Sequence, residues 1–207
     1  MRCPFCHNAE LLEDADPVMT VDAFLTFLKK RQGILEGVCV TGGEPTLRKD
    51  LPDFIRRIKE LGYLVKLDTN GYRPDVLKAL VKDGLVDYVA MDIKNCPARY
   101  AETAGVTDPD ISKIEESMIF LMEGDLDFEF RTTVVQQLHG VKELEAIGKW
   151  FQKLSPVHKV KKYFLQPYTD RDSVLCGGLS APNKADLQAF VDVTANFVHS
   201  VKIRGLE

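Results

Sequence analysis

Residues 37–71 read GVCVTGGEPTLRKDLPDFIRRIKELGYLVKLDTNG, and three patterns follow one another within them. Val38 and Val40 sit in a short extended run that ends in the pair Gly42 and Gly43. Phe54, Ile55, Ile58 and Leu61 then recur at helical spacing. Asp50 stands where an N-cap belongs, Pro52 in the first turn, and Gly62 where the chain leaves the helix. YLVKLDTNG closes the stretch as a strand and a turn. Strand, helix, strand in this order is the unit from which parallel sheets are built.

The same alternation extends both ways. Val21, Phe24, Leu25 and Leu28 mark a helix upstream. Downstream, RPDVLKALVKDG predicts a helix, VDYVAMDIK a strand, ISKIEESMIFLMEG a helix and DFEFRTTVV a strand. VKELEAIGKWFQKL, KVKKYFLQPY, a helix over 183–198 and a short strand at VKIRG complete the series. The expectation is one α/β domain over 1–207, with loops at 95–110 and 167–182 lying across its ligand-binding face.

Composition narrows the function. The chain has 207 residues, 45% hydrophobic and 28% charged, with a net charge of −4, as in an ordinary soluble globular protein. No run of lysines and arginines offers the positive patch that nucleic acid requires, so no nucleic-acid partner is expected. Nothing approaches the apolar length of a membrane span, and the polar start is no signal peptide, which predicts a cytoplasmic protein without a membrane partner. The five cysteines, Cys3, Cys6, Cys39, Cys96 and Cys176, are too few and too scattered for a disulfide framework. Cys3 and Cys6 form a CxxC pair suited to metal or redox chemistry, whereas each of the other three reads equally well as a small buried hydrophobe.

In parallel α/β folds, ligands bind at the carboxyl ends of the strands. Here those ends carry Thr41-Gly42-Gly43-Glu44, then Asp68-Thr69-Asn70, Asp92-Ile93-Lys94, Arg131-Thr132-Thr133, and Gln166. Singly, each has a structural reading: a common turn at Asn70-Gly71, a solvated Glu44, an ion pair within Asp92 and Lys94, or a surface pair of Arg131 with Glu129. Together they suit one ligand. The glycines admit close approach, and Glu44 can accept from an ammonium. Lys94 and Arg131 can pair with a carboxylate, and Asp68, Thr69 and Asn70 suit a ribose or amide edge. A molecule with an amino group, a carboxylate and a nucleoside meets all of these.

CPFCHN at 3–8, TGGEPT at 41–46, DTNG at 68–71 and MDIK at 91–94 resemble the radical S-adenosylmethionine enzymes. Among them the chain is most similar to activating enzymes of glycyl radical proteins, in particular those serving anaerobic ribonucleoside-triphosphate reductase. The resemblance implies a partial (β/α)6 barrel with a 4Fe-4S cluster and S-adenosylmethionine as cofactors. It implies a 5′-deoxyadenosyl radical that takes a hydrogen atom from a glycine of the partner protein, and a flavodoxin- or ferredoxin-like electron donor. By the resemblance, Cys3 and Cys6 are cluster ligands, and Phe5 and His7 lie beside the adenine. Gly42, Gly43 and Glu44 receive the methionine amino group, with Asp92 and Lys94 near its carboxylate. Asn70, Arg131 and Gln166 complete the cofactor-binding set.

The family's first cluster cysteine would stand four residues before Cys3, ahead of Met1, as would the first barrel strand. Three readings follow. The sequence is truncated at its N-terminus relative to the family; or Cys96 or Cys176 completes the site; or the chain is a relative that binds a nucleoside or a partner without iron. A zinc site would need two further ligands, and a thioredoxin-like dithiol would need a strand before the CxxC. Large activases insert eight more cysteines before the glycine motif, whereas residues 7–41 hold only Cys39. A pyruvate formate-lyase activase and a 7-carboxy-7-deazaguanine synthase remain the catalytic rivals. With the first strand missing, the strand at 37–41 is expected to lie at an unpaired sheet edge.

Overall fold

The computed structural model describes residues 1–8, 18–171 and 174–205. Its elements run α1 (Val21–Lys29), β1 (Gly37–Val40), α2 (Leu51–Glu60), β2 (Leu64–Thr69), α3 (Pro74–Lys82) and β3 (Tyr88–Asp92). They continue with α4 (Tyr100–Ala104), α5 (Ile111–Glu123), β4 (Asp127–Val134), α6 (Val141–Leu154), β5 (Tyr163–Pro167), α7 (Lys184–Thr194) and β6 (Val201–Ile203). The six strands form one parallel sheet in the order β1-β2-β3-β4-β5-β6. The sheet does not close: β1 and β6 are its two edges, so β1 has the unpaired side expected of it. This is the parallel sheet that the βα repeat predicts, in the open form of the partial barrel that the resemblance implies.

Local chemistry sets the element ends, with some departures from expectation. Asp50 occupies the N-cap position of α2, but its carboxylate makes no capping bond. Arg48 holds it instead, through Nε at 2.6 Å and Nη2 at 2.8 Å. Thr20 and Asn183 do cap α1 and α7, accepting from the amides of Ala23 and Asp186. The last long helix stops at Thr194, short of 198. The stretch 95–110 is not a plain loop, since Pro97–Arg99 form a 3₁₀ turn that leads into α4.

Period-two alternation divides the strand side chains between two faces. One face supplies Val65, Leu67, Val89, Met91, Phe130 and Leu165 to the main core, against Ile55, Leu77, Ile114, Leu144 and Phe151 of the helices. Phe151 lies at 5.3 Å from both Phe130 and Tyr163, edge-on to the latter. The opposite face carries Lys66, Asp68, Asp92, Glu129 and Arg131. It is held by ion pairs rather than by apolar contact.

The first residues lie across the strand ends in irregular backbone. Cys3 and Phe5 are buried in a second, smaller apolar cluster with Val135, Leu138 and Tyr168. Three further contacts pin this segment: the Arg2 amide donates to the Ala104 carbonyl at 2.9 Å, the Cys176 amide donates to the Pro4 carbonyl at 3.0 Å, and His7 Nε2 meets the Thr169 carbonyl at 2.6 Å. Gly105, with φ +62°, lets Arg2 pass, because a Cβ there would overlap the Arg2 carbonyl oxygen.

Candidate functional site

At the carboxyl ends of β1 to β4 the chain encloses a cleft of about 830 Å³. Cys3, Cys6, Gly42, Gly43, Glu44, Asn70, Asp92, Lys94 and Arg131 all line it, although they come from five separate segments. Phe5, His7 and Gln166 do not line it. Phe5 is committed to the small apolar cluster, and His7 leans on Tyr168 with its ring centroid 5.9 Å away. Gln166 sits half-buried on β5, opposite Thr133.

Charge in the cleft is organised as a ladder. Lys66 pairs with Asp68 at 2.5 Å, Asp68 with Arg131 at 3.0 Å, Arg131 with Asp92 at 2.8 Å and Asp92 with Lys94 at 3.0 Å. Arg131 reaches Asp68 across the whole of β3, because the register residue between Asp68 and Glu129 is the small Ala90. Arg131 therefore does not pair with Glu129, whose carboxylate is taken by Arg204 and by the Tyr88 hydroxyl. Three cations against two carboxylates leave one positive charge, and the ladder ends at Lys94. Asp92 is the sole protein acceptor of the Lys94 ammonium among the described residues, so two of its three donors face the cleft unengaged. A carboxylate ligand fits that end.

The ladder also fixes protonation. Burial disfavours charge on Asp92, but Lys94 and Arg131 outweigh it and hold the carboxyl below its ordinary value. Burial likewise opposes the charge of Lys94, yet Asp92 keeps the ammonium well above its ordinary range. Burial pushes the Cys3 thiol up, with Lys94 opposing.

Glu44 lines the cleft and is also held by its neighbours. Its Oε1 accepts from the Thr46 amide (3.1 Å), the Thr46 hydroxyl (2.6 Å) and the Thr69 hydroxyl (2.7 Å), and its Oε2 from the Asn70 amide (2.7 Å). The carboxylate ties the β1 turn to the end of β2, and Oε2, with a single donor, keeps acceptor capacity at the cleft that Glu44 lines. The glycine turn beside it offers an ammonium further acceptors. Gly42 adopts φ +147° with open space where a Cβ would stand. The carbonyls of Gly42 and Gly43 receive no hydrogen bond among the described residues.

Three residues of this neighbourhood escaped the sequence reading. His139 is buried, accepts from the Val135 amide through Nδ1 at 3.1 Å and donates from Nε2 to the Lys94 carbonyl at 2.9 Å. Burial keeps its imidazole neutral, below its ordinary pKa. Beside it, the fully buried Asn95 bonds Thr103 at 2.9 Å and Leu138 at 3.0 Å, so the backbone on both sides of the Lys94 carbonyl is clamped. Tyr100, also fully buried, is the one side chain among the described residues whose buried polar atom has no partner. Such an orphan costs about 1–3 kcal/mol, which calls for an explanation. The sequence signal for Tyr100 was the Pro97 that opens a helical turn; His139 had none.

Cys3 and Cys6 offer soft sulfur donors on one loop, suited to an iron–sulfur cluster. Among the described residues no third cysteine, histidine or carboxylate joins them. Cys96 is buried in the main core. Cys176 touches the loop through its backbone amide only, so neither completes the set here. The two thiolates, on one loop at the cleft, suit part of the ligand set of such a cluster.

Sulfur donors, a glycine turn and a cationic ladder at the open end of a parallel barrel define an enzyme that works through bound cofactors. The radical SAM superfamily matches residues 1–135, and the chain belongs to it. Its enzymes use a 4Fe-4S cluster and S-adenosylmethionine. The chain is 29% identical over 214 residues to a protein of Methanocaldococcus jannaschii provisionally named a glycyl-radical enzyme activating enzyme, covering 99% of this chain and 84% of that one. In structure it is similar to a domain of pyruvate-formate lyase-activating enzyme from Bacteroides vulgatus, with a TM-score of 0.66 at 19% identity, over 82% of this chain and 99% of that one. It also matches Streptococcus suis SuiB bound to S-adenosylmethionine, with a TM-score of 0.72 at 14% identity, over the whole of this chain and 48% of that one. These two likenesses establish the fold. No helix among the described residues is long and apolar enough to cross a membrane.

Proposed function

We propose that this protein is an activase that installs a glycyl radical on a partner protein, anaerobic ribonucleotide reductase, with a flavodoxin- or ferredoxin-like protein as electron donor. One observation carries the reading: a single cleft joins the CxxC thiols, the ladder's surplus positive charge at Lys94 and the unengaged carbonyls of the glycine turn. Those three features suit a sulfonium ligand with an amino-acid head. The likeness to the Methanocaldococcus jannaschii protein, which runs along almost the whole chain, supports the activase class.

In this reading Cys3 and Cys6 hold the cluster, which with S-adenosylmethionine supplies one-electron cleavage to a 5′-deoxyadenosyl radical. The protein's own part is positional. Lys94 receives the methionine carboxylate, and the Gly42 and Gly43 carbonyls receive the ammonium. Asp68 and Asn70 stand at the level of the ribose. Arg131 pairs with both Asp68 and Asp92, so that their negative charge is offset near the anionic head.

The test combines the anaerobically reconstituted protein, S-adenosylmethionine, a one-electron reductant and purified candidate partners. Anaerobic ribonucleotide reductase is expected to acquire a glycyl-radical EPR doublet together with an equivalent of 5′-deoxyadenosine. A doublet on pyruvate formate-lyase alone would reassign the target. Formation of 5′-deoxyadenosine with no protein radical on either partner would remove the activase reading.

A further inference from the structure

The last register pair between β3 and β4 joins Asp92 to Arg131, yet the two chains stay fastened beyond it. The Ile93 amide donates to the Arg131 carbonyl at 2.8 Å, and the Thr132 hydroxyl to the Ile93 carbonyl at 2.7 Å. One residue further on, the His139 ring holds the Lys94 carbonyl at 2.9 Å. His139 reaches it because residues 135–139 close a turn, the Val135 carbonyl accepting from the amides of Leu138 and His139. The Val135 amide in turn donates to Nδ1 at 3.1 Å. An amide can only donate, so Nδ1 carries the lone pair and the ring proton sits on Nε2, aimed at Lys94. The buried imidazole thus serves as one more rung between the two strand exits.

That rung decides where a side chain points. Extended backbone sends alternate residues to opposite faces, so Asp92 and Lys94 share the cleft face only while the chain between them stays extended. Ile93 is accordingly buried in the main core, and the Lys94 ammonium stands 3.0 Å from Asp92 at the cleft. We propose that His139 is the positioning residue for this ammonium and thereby sets the site's selectivity for a ligand bearing a carboxylate. It acts through the Lys94 carbonyl and touches no ligand itself. The inference rests on the carboxylate-binding part given to Lys94 above, and it names what makes that charge selective. A lysine stem ordered during folding spares the ligand the cost of ordering it on binding.

The experiment measures equilibrium binding of S-adenosylmethionine and of its decarboxylated analogue to the anaerobically reconstituted protein, with no reductant present. Wild type is expected to prefer S-adenosylmethionine by about tenfold or more, the worth of a hydrogen bond to a charged group. His139→Gln can place an N–H where Nε2 stands, and it is expected to keep most of that preference. His139→Asn can replace only the acceptor at Nδ1, and His139→Ala replaces neither. Both are expected to lose the preference several-fold, with affinity for the decarboxylated analogue unchanged. A purely structural part for His139 would weaken both ligands in proportion, and that result would overturn the inference, as would a preference kept by every variant. Nitrogen NMR of the wild type needs no variant: a neutral ring protonated at Nε2 is expected near neutral pH, and a proton on Nδ1 would overturn the assignment. A wild type that binds the two ligands alike, or neither, would overturn the carboxylate-binding part of Lys94 and this inference together. The activase reading stands or falls separately, on the partner's radical.

Discussion

A glutamate beside two glycines looks like a ligand group, and its hydrogen bonds give it a structural part as well. With four donors on its carboxylate, Glu44 is a staple between β1 and β2. Glu44→Gln replaces one acceptor oxygen with an NH₂ that meets a donor. The expected outcome is a loss of about 1–3 kcal/mol in urea unfolding of the cluster-free protein. A variant of unchanged stability that had lost S-adenosylmethionine affinity would instead make Glu44 a direct ligand group. At this scale Asp92, Lys94 and Arg131 were legible from their positions, since ionic residues at successive strand ends have few structural uses in common. Their partners were not legible. Whether Arg131 reaches Glu129 on its own strand or Asp68 two strands away depends on the side chain between them, and Ala90 clears that path.

Elements longer than two turns announced themselves by period, whereas α4 did not, because five residues are too few to show one. Yet α4 is the element on which the CxxC loop rests. Gly105 ends it in the left-handed region with Arg2 packed over the missing Cβ. Gly105→Ala adds two penalties, a strained backbone worth about 1–2 kcal/mol and an overlap with the Arg2 carbonyl that pushes the loop away. Gly62, at φ +84° with open space around it, supplies the control, since alanine there meets the backbone penalty alone. Both variants are expected to melt lower than wild type, but only Gly105→Ala is expected to bind less iron and sulfide after reconstitution. Equal metal content in the two would show that α4 does not position the loop. The same dependence sets where Phe5 and His7 point: residues in a short irregular segment face their packing partners, and here these are Val135, Leu138, Tyr168 and the Thr169 carbonyl.

At the scale of the molecule, the sheet separates two interiors with different tasks. The helix-covered face is apolar and folds the chain; the opposite face is ionic and forms the floor of the cleft. The repeated βα unit made the first legible, because burial leaves a hydrophobic period in the sequence. The second leaves only alternate polar residues, which look the same on a solvated surface. Arg131 is the test of this division, since it joins Asp68 to Asp92 with only 12% of its side chain exposed. Arg131→Met leaves Asp68 with Lys66 alone and Asp92 with Lys94 alone, and removing one partner from a buried network costs up to about 3–5 kcal/mol near neutral pH. Asp92 has a folded pKa held below 3.8, so the stability it contributes in the wild type is present above that value and is lost as the pH falls through the folded one. In the variant Asp92 has lost one of its two cations, and protonation relieves the repulsion instead. Unfolding free energies measured from pH 7 down to pH 3 should therefore converge, with the gap between wild type and variant largest near neutrality and closing on acidification. A gap that stays constant across that range would mean that Arg131 acts through packing, and that the ionic floor has no electrostatic part in holding the barrel open toward its ligand.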